Sequence, residues 1–214
     1  MRIMVRIFRW PLRESEREML SAILMNGGVV VYPTDTIYGI GGIIYDRRVV
    51  DKIYKIKERL RDKGLPILFG SIEKIEEIAI LNPLAKKLAQ RFWPGMLTLV
   101  VPLKRRELRF LTGLEDKIAV RIPSDEIVLE VIKLAGGAII GTSANLSGKL
   151  PCTNIKCVIS QLGERMDAIV DGGERGTGFP STIVEIQDDK KIKIIREGSI
   201  EVEKIKEAIG LEFS

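Results

Sequence analysis

Val29-Val30-Val31-Tyr32-Pro33-Thr34-Asp35-Thr36-Ile37-Tyr38-Gly39 joins a β-branched and aromatic run to a hydroxyl-rich turn. An unbroken apolar run reads as a strand buried on both faces, because a half-exposed strand would alternate with polar residues. Pro33 has no amide hydrogen and stops the ladder. If the chain stays extended, Thr34 and Thr36 face one way and Asp35 the other. Such hydroxyls suit an amino-acid ligand; an ordinary strand-end turn is the plain alternative. A second segment has the same design: Gly141-Thr142-Ser143-Ala144-Asn145-Leu146-Ser147-Gly148 follows the strand-like Ala138 to Gly141. Polar side chains at a sheet's rim are where α/β proteins hold small ligands.

Working outward, periodicity predicts helices over 12–25, 47–56, 72–80 and 83–92, another from an N-cap at Ser124 to Ala135, and a last one over 201–209. Strands are expected over 65–69, 97–101, 118–122, 138–141, 168–170, 182–186 and 192–195. Several strands follow one another without an intervening helix. The expected fold is therefore α/β of the α+β kind: a single domain over 1–214 with a twisted mixed sheet flanked by helices, not a pure doubly wound sheet.

The 214 residues are 45% hydrophobic and 29% charged, with a net charge of +5, enough apolar material for one core and a mild excess of cations for a polyanion. Ile, Lys, Arg and Glu are abundant, as in heat-adapted proteins. The absence of histidine excludes a histidine base or a Ser-His-Asp triad, and with two cysteines it leaves too few ligands for structural zinc. Cys152 and Cys157 read as plain thiols of a cytosolic protein rather than a disulfide framework. Met1 to Arg6 alternates charged and apolar residues, unlike a signal peptide. The stretch Glu18 to Tyr45 lacks Lys and Arg, but its Pro33, Asp35 and glycines rule out a membrane span.

Lys57 and Arg59 stand two apart. Such residues point to different sides of a helix but to one side of an extended chain. If both grip one anion, the helix must end near Ile56. Arg61 and Lys63 continue the alternation, a cluster that suits a triphosphate, with arginine bidentate and lysine as a point charge. The alternative is a solvated helix end whose cations complement the dipole. Ser143 and Asn145 share the two-residue spacing and offer neutral donors and acceptors; a self-satisfied polar turn is their alternative. Gly172 to Gly178 lacks a G-x-G-x-x-G frame, the Walker A pattern is absent, and this segment reads as a mobile loop placing Ser181. Asp188 and Asp189 read as a solvated turn.

Read together, VVVYPTDTIYGIGG, IYKIKERLRDKGLPIL, FWPGMLTLVVP, IAVRIPS, IIGTSANLSGKLPCTN, IVDGGERGTGFPSTIVEI and IIREGSI resemble the YrdC family, the catalytic domain of threonylcarbamoyl-AMP synthases, over about residues 15–198. The resemblance is to the short form without an additional C-terminal domain, and it implies an open sheet around a concave basic cavity. It implies conversion of L-threonine, bicarbonate and ATP to L-threonylcarbamoyladenylate and pyrophosphate by a cytoplasmic nucleotidyltransferase. Mg2+ would accompany the ATP; no zinc or organic prosthetic group is expected, and no metal ligand is assigned among the side chains. Downstream, a transferase complex would move the product onto tRNA.

Matched position by position, Thr36, Arg121, Thr142 and Ser181 correspond to L-threonine contacts, with Arg121 on the carboxylate. Lys57, Arg59, Lys63, Ser143, Asn145 and Arg196 correspond to ATP contacts, with Lys57 and Arg59 as the catalytic cations. The chain departs from the family where many members have Lys-Gly-Arg-Pro, since it reads Lys57-Glu58-Arg59-Leu60. Near Leu68 it has apolar residues where some members place a histidine. The principal alternative is a non-catalytic module on the same fold that binds tRNA, double-stranded RNA or a maturing ribosome, with Arg47, Arg48, Lys104, Arg105 and Arg106 extending its basic surface. Carbamoyl-transfer domains of hydrogenase maturation proteins are a further relative, but they are larger and carry zinc-finger and acylphosphatase segments.

Overall fold

The structure, a computed structural model, describes residues 5–61, 64–113 and 116–210. Its elements in chain order are β1 Arg6–Arg9, α1 Glu14–Met25, β2 Val30–Tyr32, β3 Gly39–Gly41, α2 Arg47–Lys57, β4 Ile67–Phe69, α3 Ile72–Ile78, α4 Pro83–Phe92, β5 Leu97–Pro102 and a 3-10 turn at Arg106–Leu111. They continue with β6 Lys117–Arg121, α5 Glu126–Leu134, β7 Ala138–Ile140, β8 Thr142–Ser143, α6 Ile155–Leu162, β9 Ala168–Asp171, β10 Thr182–Ile186, β11 Ile192–Arg196 and α7 Val202–Ile209.

The class is the expected mixed α/β, but the strands form two sheets instead of one. One is five-stranded, β1-β9-β2-β3-β8, and the other six-stranded, β11-β10-β5-β6-β4-β7. Both mix parallel and antiparallel pairs. Gly41 marks the seam between them: a Cβ there would fall 1.5 Å from the Ile140 carbonyl, so only glycine lets β3 approach β7 this closely. Ile140 N–H donates to the Gly42 carbonyl at 3.0 Å, and the Tyr32 hydroxyl donates to the Ile140 carbonyl.

Residues 29–32 are buried on both faces, as their unbroken run implies. Val30 and Tyr32 pack with Leu20, Leu24, Val128 and Val131 of α1 and α5. Val29 and Val31 belong to the larger core, which includes Val49, Val50 and Ile53 of α2 and runs on into the six-stranded sheet. Several helix boundaries follow from side-chain caps. Asn82 accepts from Ala85 N–H ahead of Pro83, and Asn154 from Cys157 N–H. The N-cap of α5 is Asp125, not Ser124: Asp125 accepts from Ile127 and Val128 N–H, while the Ser124 hydroxyl turns to Asp35.

Cys152 and Cys157 form a disulfide, which corrects the expectation of two plain thiols. The turn into α6 brings their Cα atoms to 5.5 Å, inside the usual bridging range. Among the described residues, no helix is long and apolar enough to cross a membrane.

Candidate active site

A cavity of about 570 Å³ opens between the two sheets. The Thr34–Ile37 turn, Gly39, Arg59 and the Gly141–Ser143 segment form one wall, and the exposed face of β5, β6, β10 and β11 forms the floor. Seven of the residues matched to ligand contacts line it, Thr36, Arg59, Arg121, Thr142, Ser143, Ser181 and Arg196, and so does Thr34.

Strand alternation explains the floor. On β6, Arg121 and Lys117 share a side with Ala119; on β10 the line from Ser181 runs through Ile183 to Glu185. Arg196 needs one more device. Ile183 pairs with Arg196 but Val184 with Ile194, so Ile195 is an extra residue on β11. This bulge brings both Ile195 and Arg196 onto the cavity face, re-aiming a side chain as bulges beside binding sites do.

Each arginine is paired with a hydroxyl residue. Arg121 Nη1 donates to Thr36 Oγ1 at 3.1 Å, Nη2 meets Asp35 Oδ1 at 2.5 Å, and Nε donates to the Gly95 carbonyl at 2.8 Å. Thr36 Oγ1 is also 2.9 Å from Thr34 Oγ1. Arg59 Nη1 lies 3.4 Å from Thr142 Oγ1, and Nη2 donates to the Gly64 carbonyl at 3.2 Å. Arg196 Nη2 donates to the Ser181 carbonyl at 2.8 Å, while Ser181 Oγ sits 2.8 Å from Thr98 Oγ1. Burial pushes the Arg121 guanidinium down, and Asp35 pushes back. Arg196 is lowered by burial and then by the Arg121 charge. Three guanidinium groups, those of Arg59, Arg121 and Arg196, thus border one cavity.

Lys57 and Asn145 are not part of the lining. Helix α2 ends at Lys57, one residue beyond the expected stop, and Glu58 follows in the left-handed region at φ 52°. Arg59 turns to the cavity, whereas Lys57, 2% exposed, donates through Nζ to the carbonyls of Ser143 and Asn145, the latter at 2.8 Å. Burial, followed by the Arg59 charge, pulls Lys57 down to about 7. Asn145 Nδ2 donates to the carbonyls of Leu146 and Lys149, both at 2.8 Å. Its Oδ1 is buried without a partner among the described residues. Lys63 lies outside the described residues. Arg61 pairs with Asp51 at 2.7 Å, away from the cavity lining.

Sequence reasoning missed Thr98, Lys117, Glu185 and Lys193; β-strand alternation from Ser181 and Arg121 could have found Glu185 and Lys117. The Gly172–Gly178 loop is tied to the site: Gly178 N–H donates to the Thr36 carbonyl at 3.1 Å, and the Tyr38 hydroxyl donates to the Gly173 carbonyl at 2.7 Å. Within the basic surface, Arg48 pairs with Asp46 and Arg105 with Glu107, each at 2.7 Å. Among the described residues no cluster of three or more His, Cys, Asp or Glu could hold a metal.

The Sua5/yciO/yrdC family model, described as telomere recombination, matches residues 22–198. The chain belongs to this family. It is 36% identical over 206 residues to the threonylcarbamoyl-AMP synthase of Pyrococcus abyssi, covering 96% of this chain and 59% of that protein. With the Bacillus subtilis threonylcarbamoyl-AMP synthase it shares 39% identity over 193 residues, 89% of this chain and 55% of the relative. The chain thus spans a little over half the length of these two relatives. The fold superimposes on P. abyssi Sua5 complexed with L-threonine with a TM-score of 0.89 at 35% identity, covering 96% of this chain and 61% of that one. E. coli YciO, at 24% identity and a TM-score of 0.84, shares the fold over 94% of this chain and all of its own.

Proposed function

We propose that this protein is a threonylcarbamoyl-AMP synthase, a nucleotidyltransferase that makes L-threonylcarbamoyladenylate from L-threonine, bicarbonate and ATP. The observation that carries the reading is the set of three arginine–hydroxyl pairs around one cavity, Arg121–Thr36, Arg59–Thr142 and Arg196–Ser181. A buried arginine backed by Asp35 suits a carboxylate, so Arg121 with Thr36, Thr142 and Ser181 receives L-threonine. Arg59, Arg196 and Ser143 line the remainder as phosphate contacts, with Lys63 assigned by resemblance alone. Lys57 adds its charge from behind the Ser143–Asn145 segment and fixes that segment's backbone. The similarity to a Sua5 complexed with L-threonine supports L-threonine as a ligand.

The chemistry fits a chain without histidine. The threonine amine adds to CO2 derived from bicarbonate, losing a proton and forming a carbamate. A carbamate oxygen attacks the α-phosphorus of ATP, the bond to the β-phosphate bridging oxygen breaks, and pyrophosphate leaves. Positioning and cations aimed at the developing charge carry such a step. Mg2+ enters with ATP as part of the substrate. The product then serves a threonylcarbamoyl transferase complex acting on tRNA, in the cytoplasm. Pyrophosphate release by the purified protein, with ATP, bicarbonate and each amino acid in turn, tests the reading. We expect release only when L-threonine and bicarbonate are both present; release indifferent to the amino acid, or none, overturns it.

A further inference from the structure

The cavity floor is a ladder with two polar ends and an apolar middle, and only one end is used by the amino acid. Ser181 and Arg121 stand at that end. Ile183, Val100 and Ala119 form the middle. Four residues further along β6 and β10, roughly 13 Å away at the rise of a strand, stand Lys117 and Glu185. Lys193 joins them from β11 as the register partner of Glu185. Glu185 is the only carboxylate lining the cavity among the described residues, and its side chain is 15% exposed.

A carboxylate is out of place in a cavity that receives a polyanion, unless it faces an uncharged part of the ligand that donates hydrogen bonds. In a nucleoside triphosphate that part is the ribose diol or the base amino group. The apolar middle separates Glu185 from Arg121 and leaves room for the amino acid and its carbamate before the sugar. Lys117 is already bonded to Glu185. Its ammonium neutralises the carboxylate and fixes its direction, which favours a hydroxyl donor over a divalent cation as the remaining partner.

We propose that Glu185, held by Lys117, accepts hydrogen bonds from the ribose 2′- and 3′-hydroxyls of the nucleotide and selects ribonucleotides over deoxyribonucleotides. The inference rests on the reading of ATP as substrate. Removing a hydroxyl donor leaves an acceptor position of the carboxylate unfilled beside its Lys117 bond, so the expected discrimination is about 10- to 100-fold.

The test measures binding of ATP, 2′-deoxyATP and 3′-deoxyATP by calorimetry, and kcat/KM for each by pyrophosphate release. Wild-type protein is compared with Glu185→Ala and with the isosteric Glu185→Gln. We expect wild type to favour ATP by about 10-fold or more over at least one deoxy analogue. The preference should fall to about 3-fold or less in Glu185→Ala while ATP still binds. Wild-type protein that binds ATP and both analogues equally overturns the ribose assignment and leaves the synthase reading standing, even if the alanine variant fails to fold. A preference that survives at full strength in a folded Glu185→Ala variant also overturns it, whereas Glu185→Gln, which keeps one acceptor oxygen, should retain part of it. Wild-type protein that binds none of the three overturns both readings.

Discussion

The floor and the wall of the cavity hold their polar groups by different physics. On the floor, Arg121, Ser181, Lys117 and Glu185 are placed by strand alternation, and their directions follow from the pleat. On the wall, Thr36 and Arg59 sit in turns, with Lys57 at the end of α2 and Asn145 behind the lining, and hydrogen bonds to carbonyls and hydroxyls set their directions one at a time. Changing a wall residue that holds a carbonyl alters the wall itself.

The largest effect is expected where floor meets wall. Arg121→Ala leaves Asp35 buried without its cation, and breaking a buried pair costs about 3–5 kcal/mol. Threonine-dependent turnover should fall by about 100-fold or more, and chemical denaturation should show the lost stability. Asp35→Asn separates the two consequences: Arg121 keeps hydrogen bonds to Thr36 and Gly95, so stability should drop less and some threonine binding persist. Equal damage from both changes would mean that Arg121 matters to the fold alone.

Next comes the contrast between Lys57 and Arg59. Arg59→Ala removes a cavity cation and should raise KM for ATP by about 10- to 100-fold. Lys57→Met frees the carbonyls of Ser143 and Asn145, so amide exchange should quicken across residues 143–149 and kcat should fall with it. A Lys57→Met protein with unchanged exchange and only a raised KM would place Lys57 beside Arg59 on the phosphates and erase the distinction between them.

The Lys57 ammonium also makes the wall sensitive to pH. Burial pulls it down to about 7, so its charge is present below that value and lost as pH rises through it. ATP affinity should therefore weaken between about pH 6 and 8, a trend that Lys57→Arg flattens by keeping the charge. Stability runs the opposite way. Between about 7 and the ordinary lysine range the unfolded chain binds the proton and the folded chain does not, so this group's contribution to stability rises with pH across that window. Calorimetry of ATP binding and denaturant melts over the same pH series read the two slopes separately.

The same division decides what the sequence disclosed. Long or strongly patterned elements were legible: α4 at 83–92 and β10 at 182–186 fall where periodicity and capping put them. Elements formed by distant pairing were not. β1 exists because it lies parallel to β9, and the two residues of β8 count as strand only beside β3. α6 has only eight residues, and its N-cap at Asn154 is the one local signal for it. Nothing local announced a second sheet, because the seam at Gly41 depends on a carbonyl about a hundred residues away. In the site, resemblance and spacing found the cations and hydroxyls, but not which of them face inward. The contact of Lys57 with two carbonyls and the bulge that turns Arg196 inward are products of tertiary packing.

The smallest prediction concerns the residue between the two cations. Glu58 is the one non-glycine residue with positive φ among the described residues, at the position where the resemblance expects glycine. The turn is kept, then, because it sends Lys57 and Arg59 to different places, and the chain tolerates a side chain there at a cost of about 1 kcal/mol. Glu58 recovers part of this through Arg165, 2.8 Å away, but both side chains are largely solvated and such a pair contributes under about 1 kcal/mol. Glu58→Gly should therefore stabilise the protein by about 0.5 kcal/mol, raising Tm by about 1–2 °C, with ATP KM unchanged. If stability instead falls, the Arg165 pair outweighs the backbone strain, and the wall's geometry at this turn is held from outside by a salt bridge.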